Sequence, residues 1–269
     1  MENQTVFDNV ESNPSLETAE KIITDLQNLN FSHIVGIGGG SSMDVAKYCA
    51  FKMNKAKIMI PTTFGSGSEV TRISVLKVGN KKKSFHDDGI IADIAIVDSH
   101  FIENSSNEII KNSVIDACAQ CTEAYDSKLA NVYTKFLCNA AFDLLEDGII
   151  TKNYEKIVMG SLLDGLGFGN SSTTLGHALS YVYSNEGISH GHALAFTTSV
   201  AHKFNGSKFY ERFHNLVKKL DFPKITLNQS LENAAATIIP DKKHLDNNPK
   251  SVTKEDIIQL LESINIQNY

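Results

Sequence analysis

The sequence predicts an α/β half built on a parallel sheet, followed by an all-helical half, and three observations carry that reading. Short β-branched runs that end in glycine or proline alternate with helical patterns over the first hundred or so residues. Beyond about residue 107 the strand signals nearly vanish and one helical pattern follows another. The length of 269 residues suits one large or two modest domains, and 42% hydrophobic content supplies buried cores. The expected division is 1–105 and 106–269.

Taken in order, Ala19, Ile22, Ile23, Leu26 and Leu29 recur at helical spacing over Ser15 to Leu29. Ile34 to Ile37 is a strand that runs into Gly38, Gly39 and Gly40, after which Ser41 and Ser42 are placed to cap a helix carrying Met43, Ala46 and Cys49. Lys57 to Pro61 reads as the next strand, Ile73 to Val78 with Lys81 to Phe85 as a polar hairpin about Gly79-Asn80, and Ile94 to Asp98 as a further buried strand. Helices are then expected over Ile109 to Tyr125, Val132 to Leu145, Tyr154 to Gly167, Leu175 to Tyr183, His190 to Lys203, Tyr210 to Leu220, Leu227 to Ile238 and Thr253 to Ile264.

A formal charge of -6 gives no positive field for nucleic acid or an anionic membrane. Four cysteines in so long a chain, with no signal-like start, do not form a secreted disulfide framework, so a cytoplasmic setting is expected. Apolar runs such as Ile90 to Val97, interrupted by Asp93, fall far short of the roughly 20 residues that cross a bilayer. The basic run Lys81-Lys82-Lys83 reads by default as a solvated hairpin tip.

Two turns carry the first chemical signal. Gly38-Gly39-Gly40-Ser41-Ser42 sits between strand and helix, where backbone N–H groups and the positive helix end can hold a phosphate, although a tight strand-to-helix turn also needs glycine for structure alone. Pro61 to Glu69 follows the next strand and again gathers hydroxyls and glycines at the edge where open α/β sheets bind ligands. Two such turns together favour an extended phosphorylated ligand such as a dinucleotide.

The helical half holds the second signal. Asp116 and Gln120 lie four apart on one helix face, with Glu123 on the same stripe, and His177 and His190 each open a helical segment. A carboxylate, an amide and two imidazoles suit a divalent ion such as Fe²⁺ or Zn²⁺ with a position left open for substrate oxygen, while spacing alone leaves ordinary surface or core roles open. Cys118 and Cys121 form a C-x-x-C inside an apolar helical pattern and read as buried small side chains, and His192 faces either cleft or solvent.

These strings, Gly38 to Lys47, Pro61 to Glu69, Ile94 to Asp98, Asp116 with Glu123-Ala124-Tyr125, His177-Ala178-Leu179 and His190-Gly191, occur in the order found in the iron-containing alcohol dehydrogenases, and the chain resembles that family from about Phe7 to Ile264. The resemblance implies a nicotinamide-binding α/β domain packed on a helical metal domain, a dehydroquinate synthase-like architecture, with NAD or NADP and a divalent metal as cofactors. It assigns cofactor contacts to Gly39, Gly40, Ser41, Asp44, Thr62, Thr63, Ser66, Ser68 and Lys83, and metal ligands to Asp116, Gln120, His177 and His190. Most members carry histidine where this chain has Gln120, a harder and weaker ligand. Tyr181, where many members have another active-site histidine, or a water beside it, is expected to deliver a proton.

The ligand-helix glutamine, His-Ala-Leu-Ser-Tyr at 177–181 and Gly-Ile-Ser-His-Gly-His at 187–192 look most like a branch that reduces phosphonoacetaldehyde to 2-hydroxyethylphosphonate. Sugar-acid oxidases of the same family share the first of those strings. Only Arg72 and Arg212 are available to meet a phosphonate, and Asn170 to Thr174 either binds an anion through its hydroxyls or caps the next helix. The family normally begins with one further βα unit, and the chain reads as starting after it. A homodimer acting on a small aldehyde or alcohol is the expectation. The rivals are a dehydroquinate synthase-type enzyme, which would regenerate its NAD in each cycle, and a degenerate, non-catalytic fragment.

Overall fold

A computed structural model of the chain describes residues 4–79 and 81–266. The α/β part comprises α1 (Leu16–Leu26), β1 (His33–Gly38), α2 (Gly40–Lys52), β2 (Ala56–Pro61), the hairpin β3 (Ile73–Val78) and β4 (Lys81–His86), and β5 (Ile94–Ala95). β1, β2 and β5 form a parallel sheet in that order, in register from His33 opposite Ala56 to Gly38 opposite Pro61, while β3 and β4 pair antiparallel as a separate ribbon. Asn80, in the expected hairpin turn, lies outside the described residues.

The helical part runs α3 (His100–Glu103), α4 (Asn107–Asp126), α5 (Val132–Thr151), α6 (Tyr154–Phe168), α7 (Leu175–Asn185), α8 (His190–Asn205), α9 (Tyr210–Leu220), α10 (Leu231–Ile238), α11 (Lys242–Asn247) and α12 (Lys254–Ile266). α4 is its centre, packed on α5, α6, α7 and α8, and its residues from Val114 to Ala124 are buried almost without interruption. The largest core joins Ile115, Cys118, Phe142, Leu145, Leu179, Phe196 and Phe213. No helix among the described residues is long and apolar enough to cross a membrane. An α/β parallel sheet joined to an all-helical bundle is the fold class the periodicity predicts.

Four details differ from the sequence reading. The expected strand to Asp98 shortens to two residues, because Asp98 Oδ1 accepts from His100 N and turns the chain into α3. α2 begins at Gly40 with Gly39 in the capping position and no side-chain cap, so Ser41 and Ser42 lie inside the first turn instead of ahead of it. α10 starts at Leu231, capped by Ser230. α11 was not expected at all, since six residues are too few to show a period.

Residues of α2 fasten the hairpin. Lys47, fully buried, donates to the carbonyls of Ser68 at 2.7 Å, Thr71 at 3.2 Å and Ile73 at 2.5 Å. Asp44 accepts from Ser68 Oγ at 2.6 Å and Val75 N at 3.0 Å, and lies 3.7 Å from the Lys47 ammonium. The turn between β2 and β3 in turn presses on the helical half: a Cβ on Gly65 would lie 2.4 Å from Ser113 O of α4. On the sheet face away from α2, Val35, Ile37, Ile94 and Ile96 are 42–59% exposed, although parallel sheets are ordinarily covered on both faces.

Replacing Lys47 with Met would strip Asp44 of its cation and three carbonyls of their donor, and is expected to lower the unfolding free energy by about 3–5 kcal/mol in urea titration. Glu69 supplies a pH signature. Burial pushes its carboxyl up to about 7 from the ordinary 4.5, against the pull of its own backbone N–H and of Lys47. Between those values the unfolded chain releases a proton that the folded chain keeps, so stability falls as pH rises through that window. Glu69→Gln should flatten that slope in unfolding curves recorded from pH 4 to 8.

Candidate metal and cofactor site

Helical spacing delivers the cluster. On α4, Asp116, Gln120 and Glu123 share one stripe, and this stripe meets the first turns of α7 and α8, which carry His177 and His190. Asp116 Oδ1 lies 3.8 Å from His177 Nε2 and 3.7 Å from His190 Nε2, and one ligand atom from each of the three falls within 4.8 Å of the others. Ser189 Oγ, in the capping position of α8, bonds Asn112 Oδ1 at 2.7 Å and so fixes the start of α8 against α4.

Behind this set, Glu123 is 1% exposed and bonded to His177 Nδ1, while its Oε1 accepts from Thr174 Oγ1 at 2.9 Å and Gly176 N at 2.5 Å. An acceptor at Nδ1 places the donor proton there and leaves Nε2 for a ligand. Burial opposes charge on His177, but Glu123 and Asp116 outweigh it and raise its pKa to about 9. His190 is dominated by burial, which Asp116 only partly offsets, and His177 and Lys82 add to the fall to about 4. One imidazole thus holds a proton between two carboxylates, in a place a cation can take.

Gln120 completes the donor set. Its Nε2 donates to Asp116 Oδ1 at 2.9 Å, while its Oε1 is buried without a partner. A half-turn of the amide exchanges the two atoms and offers that oxygen to a cation beside Asp116. The residues present therefore fit a divalent metal, and among the described residues no other group of three or more histidine, cysteine or acidic side chains is arranged to hold one. Cys118 and Cys121 are buried free thiols on the far side of α4's chemistry, with Cys121 Sγ donating to Cys118 O.

The two glycine turns meet edge to edge. Cβ atoms on Gly39 and Gly40 would lie 3.0 Å from Thr63 Oγ1 and 2.9 Å from Ser66 Oγ, so glycine is needed there for the turns to approach, whatever they bind. Gly39, Gly40, Ser41, Thr62, Thr63 and Ser66 are all half-buried, and the uncapped start of α2 leaves its first N–H groups free of side-chain acceptors. Asp44 and Ser68 are placed otherwise: they bond to each other beneath α2, committed to holding the hairpin.

Strand alternation separates the lysines. Lys83 lies over the Phe85 ring at 5.1 Å, on the side that packs against Tyr48. Lys82 faces the opposite way, and its charge acts on Asp116 and His190. The cation of the cleft is thus Lys82, one residue from the position the motif reading chose.

Tyr181 stacks on His190 with ring centroids 6.3 Å apart, and burial, then Asp241, Asp116 and Glu123, push its phenol well above the usual range. Sequence reading missed His244 on α11, which is 5% exposed, stacks on His177 and meets Tyr181 edge-on, with Nδ1 bonded to Asp241 Oδ2 at 2.7 Å. His192 faces away: its Nε2 meets Pro223 O and its ring stacks on Phe222. In the 170–174 cluster, Asn170 is bonded to Arg72, and Thr174 serves Glu123.

Glu123→Gln, which keeps the shape but loses the charge behind His177, should weaken Zn²⁺ binding about 10–100-fold in a calorimetric titration. Thr174→Val, which removes only one donor to Glu123, should weaken it less.

Comparison with known proteins matches residues 2–99 to the family described as iron-containing alcohol dehydrogenase, and residues 110–239 to the C-terminal part of the same family. The 4-hydroxybutyrate dehydrogenase of Clostridium kluyveri is 34% identical over 67% of this chain and 56% of its own, and long-chain-alcohol dehydrogenase 1 of Geobacillus thermodenitrificans is 32% identical over 71% and 56%. The chain thus spans a little over half the length of these relatives. An iron-containing alcohol dehydrogenase from Thermotoga maritima superposes with a TM-score of 0.87 at 26% identity, over 97% of this chain and 82% of that one. The sulfoacetaldehyde reductase of Bifidobacterium kashiwanohense, solved with NAD⁺, shares the fold at a TM-score of 0.89 and 24% identity, over 98% and 84%. With the glycine turns inside the first matched segment and the metal-type cluster inside the second, the chain belongs to the iron-containing alcohol dehydrogenase family.

Proposed function

We propose that this chain is a metal-dependent, NAD(P)H-linked alcohol dehydrogenase that works chiefly as a reductase of a small aldehyde, and that phosphonoacetaldehyde, giving 2-hydroxyethylphosphonate, is the first substrate to test. The observation that carries the reading is the convergence of Asp116, His177 and His190, with the unsatisfied Gln120 amide oxygen, next to two glycine turns. That one relative is a 4-hydroxybutyrate dehydrogenase supports a substrate bearing an acid group.

In this reading Asp116, Gln120, His177 and His190 hold the divalent cation, and Glu123 keeps His177 in the tautomer that can do so. When bound, the cation supplies Lewis acidity toward a carbonyl oxygen and the reduced nicotinamide supplies hydride. The backbone N–H groups at Gly39, Gly40 and Ser41, with the hydroxyls of Thr62, Thr63 and Ser66, hold the cofactor's phosphates without a basic field. Tyr181, or a water beside it, provides the proton that completes the alcohol. Burial, and then the negative charges of Asp241, Asp116 and Glu123, make its phenol hold that proton firmly.

Protein loaded with Fe²⁺ or Zn²⁺ without air should consume NADH or NADPH when phosphonoacetaldehyde is added, and Asp116→Asn should abolish both metal uptake and turnover. Failure to bind or consume either cofactor with any small aldehyde would overturn the proposal. Cofactor that is bound but never consumed in net terms would instead point to synthase-type chemistry.

A further inference from the structure

At the mouth of the cleft, β4 and α11 face each other, and the groups they present are basic. Lys243 Nζ donates to His86 Nε2 at 3.3 Å, across 157 residues of sequence. Both residues reach the surface, yet partial desolvation lowers the pKa of each, and His86 is lowered further by Lys243 and Arg72. Lys82 stands two residues pairs along the same face of β4, nearer Asp116, and is lowered by desolvation too.

What these cations lack is a counter-ion in direct contact: Asp241 attracts Lys243, and Asp116 attracts Lys82, only from a distance. Among the described residues neither Lys82 nor Lys243 forms an ion pair, whereas the other charged groups nearby are committed. Arg72 is held by Asp88 at 2.8 Å and by Asn170. Asp241 is bonded to His244 Nδ1 at 2.7 Å. An ammonium partly withdrawn from water, hydrogen-bonded to an imidazole nitrogen and attracted by Asp241 only from a distance, is stabilised when an anion arrives in contact with it, because part of the desolvation is already present. Lys243 is also placed for substrate: α11 packs on α7, and His244, next in sequence, lies against the rings of His177 and Tyr181.

We propose that Lys243 and His86 form the subsite for the anionic head group of the substrate, a phosphonate, sulfonate or carboxylate on a short aldehyde. The inference rests on the aldehyde-reductase reading and deepens it by naming the residues that select charge. His86 accepts from Lys243, and when the head group binds, the ammonium turns to its oxygens.

The experiment has two arms, so that this subsite and the activity can fail separately. In the first, 2-hydroxyethylphosphonate, methanesulfonate and propanoate are titrated calorimetrically into the whole chain loaded with Zn²⁺. Lys243→Ala and His86→Ala should each weaken binding of the preferred anion about 10–100-fold, and Lys243→Arg should retain most of it. The anion that binds most tightly identifies the head group. In the second arm, KM for phosphonoacetaldehyde should rise by about the same factor in Lys243→Ala, while kcat, KM for propanal and the affinity for NADH and NADPH stay unchanged. Unchanged anion binding in both alanine variants overturns the proposal, as does an equal rise in KM for propanal. Loss of cofactor affinity in place of anion affinity would assign Lys243 to a cofactor phosphate and overturn it as well. If the wild-type chain reduces no aldehyde, the titration still decides the subsite.

Discussion

The contact on which the cleft depends is the buried carboxylate of Glu123. It stands on the central helix of the bundle, yet its partners all belong to the start of α7: the hydroxyl of Thr174, the N–H of Gly176 and the imidazole of His177. α7 has no capping bond from its own capping residue, Thr174, so a carboxylate from another helix satisfies its N-terminus and its dipole together. The same charge that anchors the helix orients His177. Burial acts to push the Glu123 carboxyl up, and the adjoining His177 more than reverses this, leaving it below the ordinary range and ionised. Fold and site are therefore held by one group, and neither can be altered there alone.

A second polar device joins the halves. Asp44 and Lys47, one turn apart on α2, spend their charges on the hairpin and on the turn that presses against α4. A motif reading assigns Asp44 and Ser68 to the cofactor, since they lie in the right strings, but in the fold they bond to each other. Position within a motif identifies neighbourhood. Which side of the turn a side chain occupies is decided by packing.

Much of this is legible in the sequence itself. Periodicity marks α4 to α9 within a few residues, because a buried helix repeats its apolar face over several turns. Asp116, Gln120 and Glu123 share a face by arithmetic alone, and His177 and His190 stand out by opening helices. Other features left no local trace. Six-residue α11 shows no period, so His244 and Lys243 could not be placed near the cluster. Lys82 and Lys83 are indistinguishable in a run of three lysines until the pairing of β4 with β3 fixes which one turns inward. The two-residue β5 reflects a competing bond at Asp98, stronger locally than the β-branched run that suggested a longer strand.

The fastening of the hairpin by α2 also decides how stiffness is shared around the cleft. α2 starts at the glycine turn, and its side chains hold the strand that pairs with β4, so the turn, the helix and the ribbon form one braced wall. α11 faces this wall as a single short turn of helix, and a hydrogen bond between Lys243 and His86 spans the gap. α11 is fastened in turn to the helical half, where Asn247 donates to the carbonyls of Ser171 and Thr173. The width of the entrance is set by a segment that carries no part of the expected metal set, so substitutions there can reshape the entrance while the distances inside the cluster stay as they are.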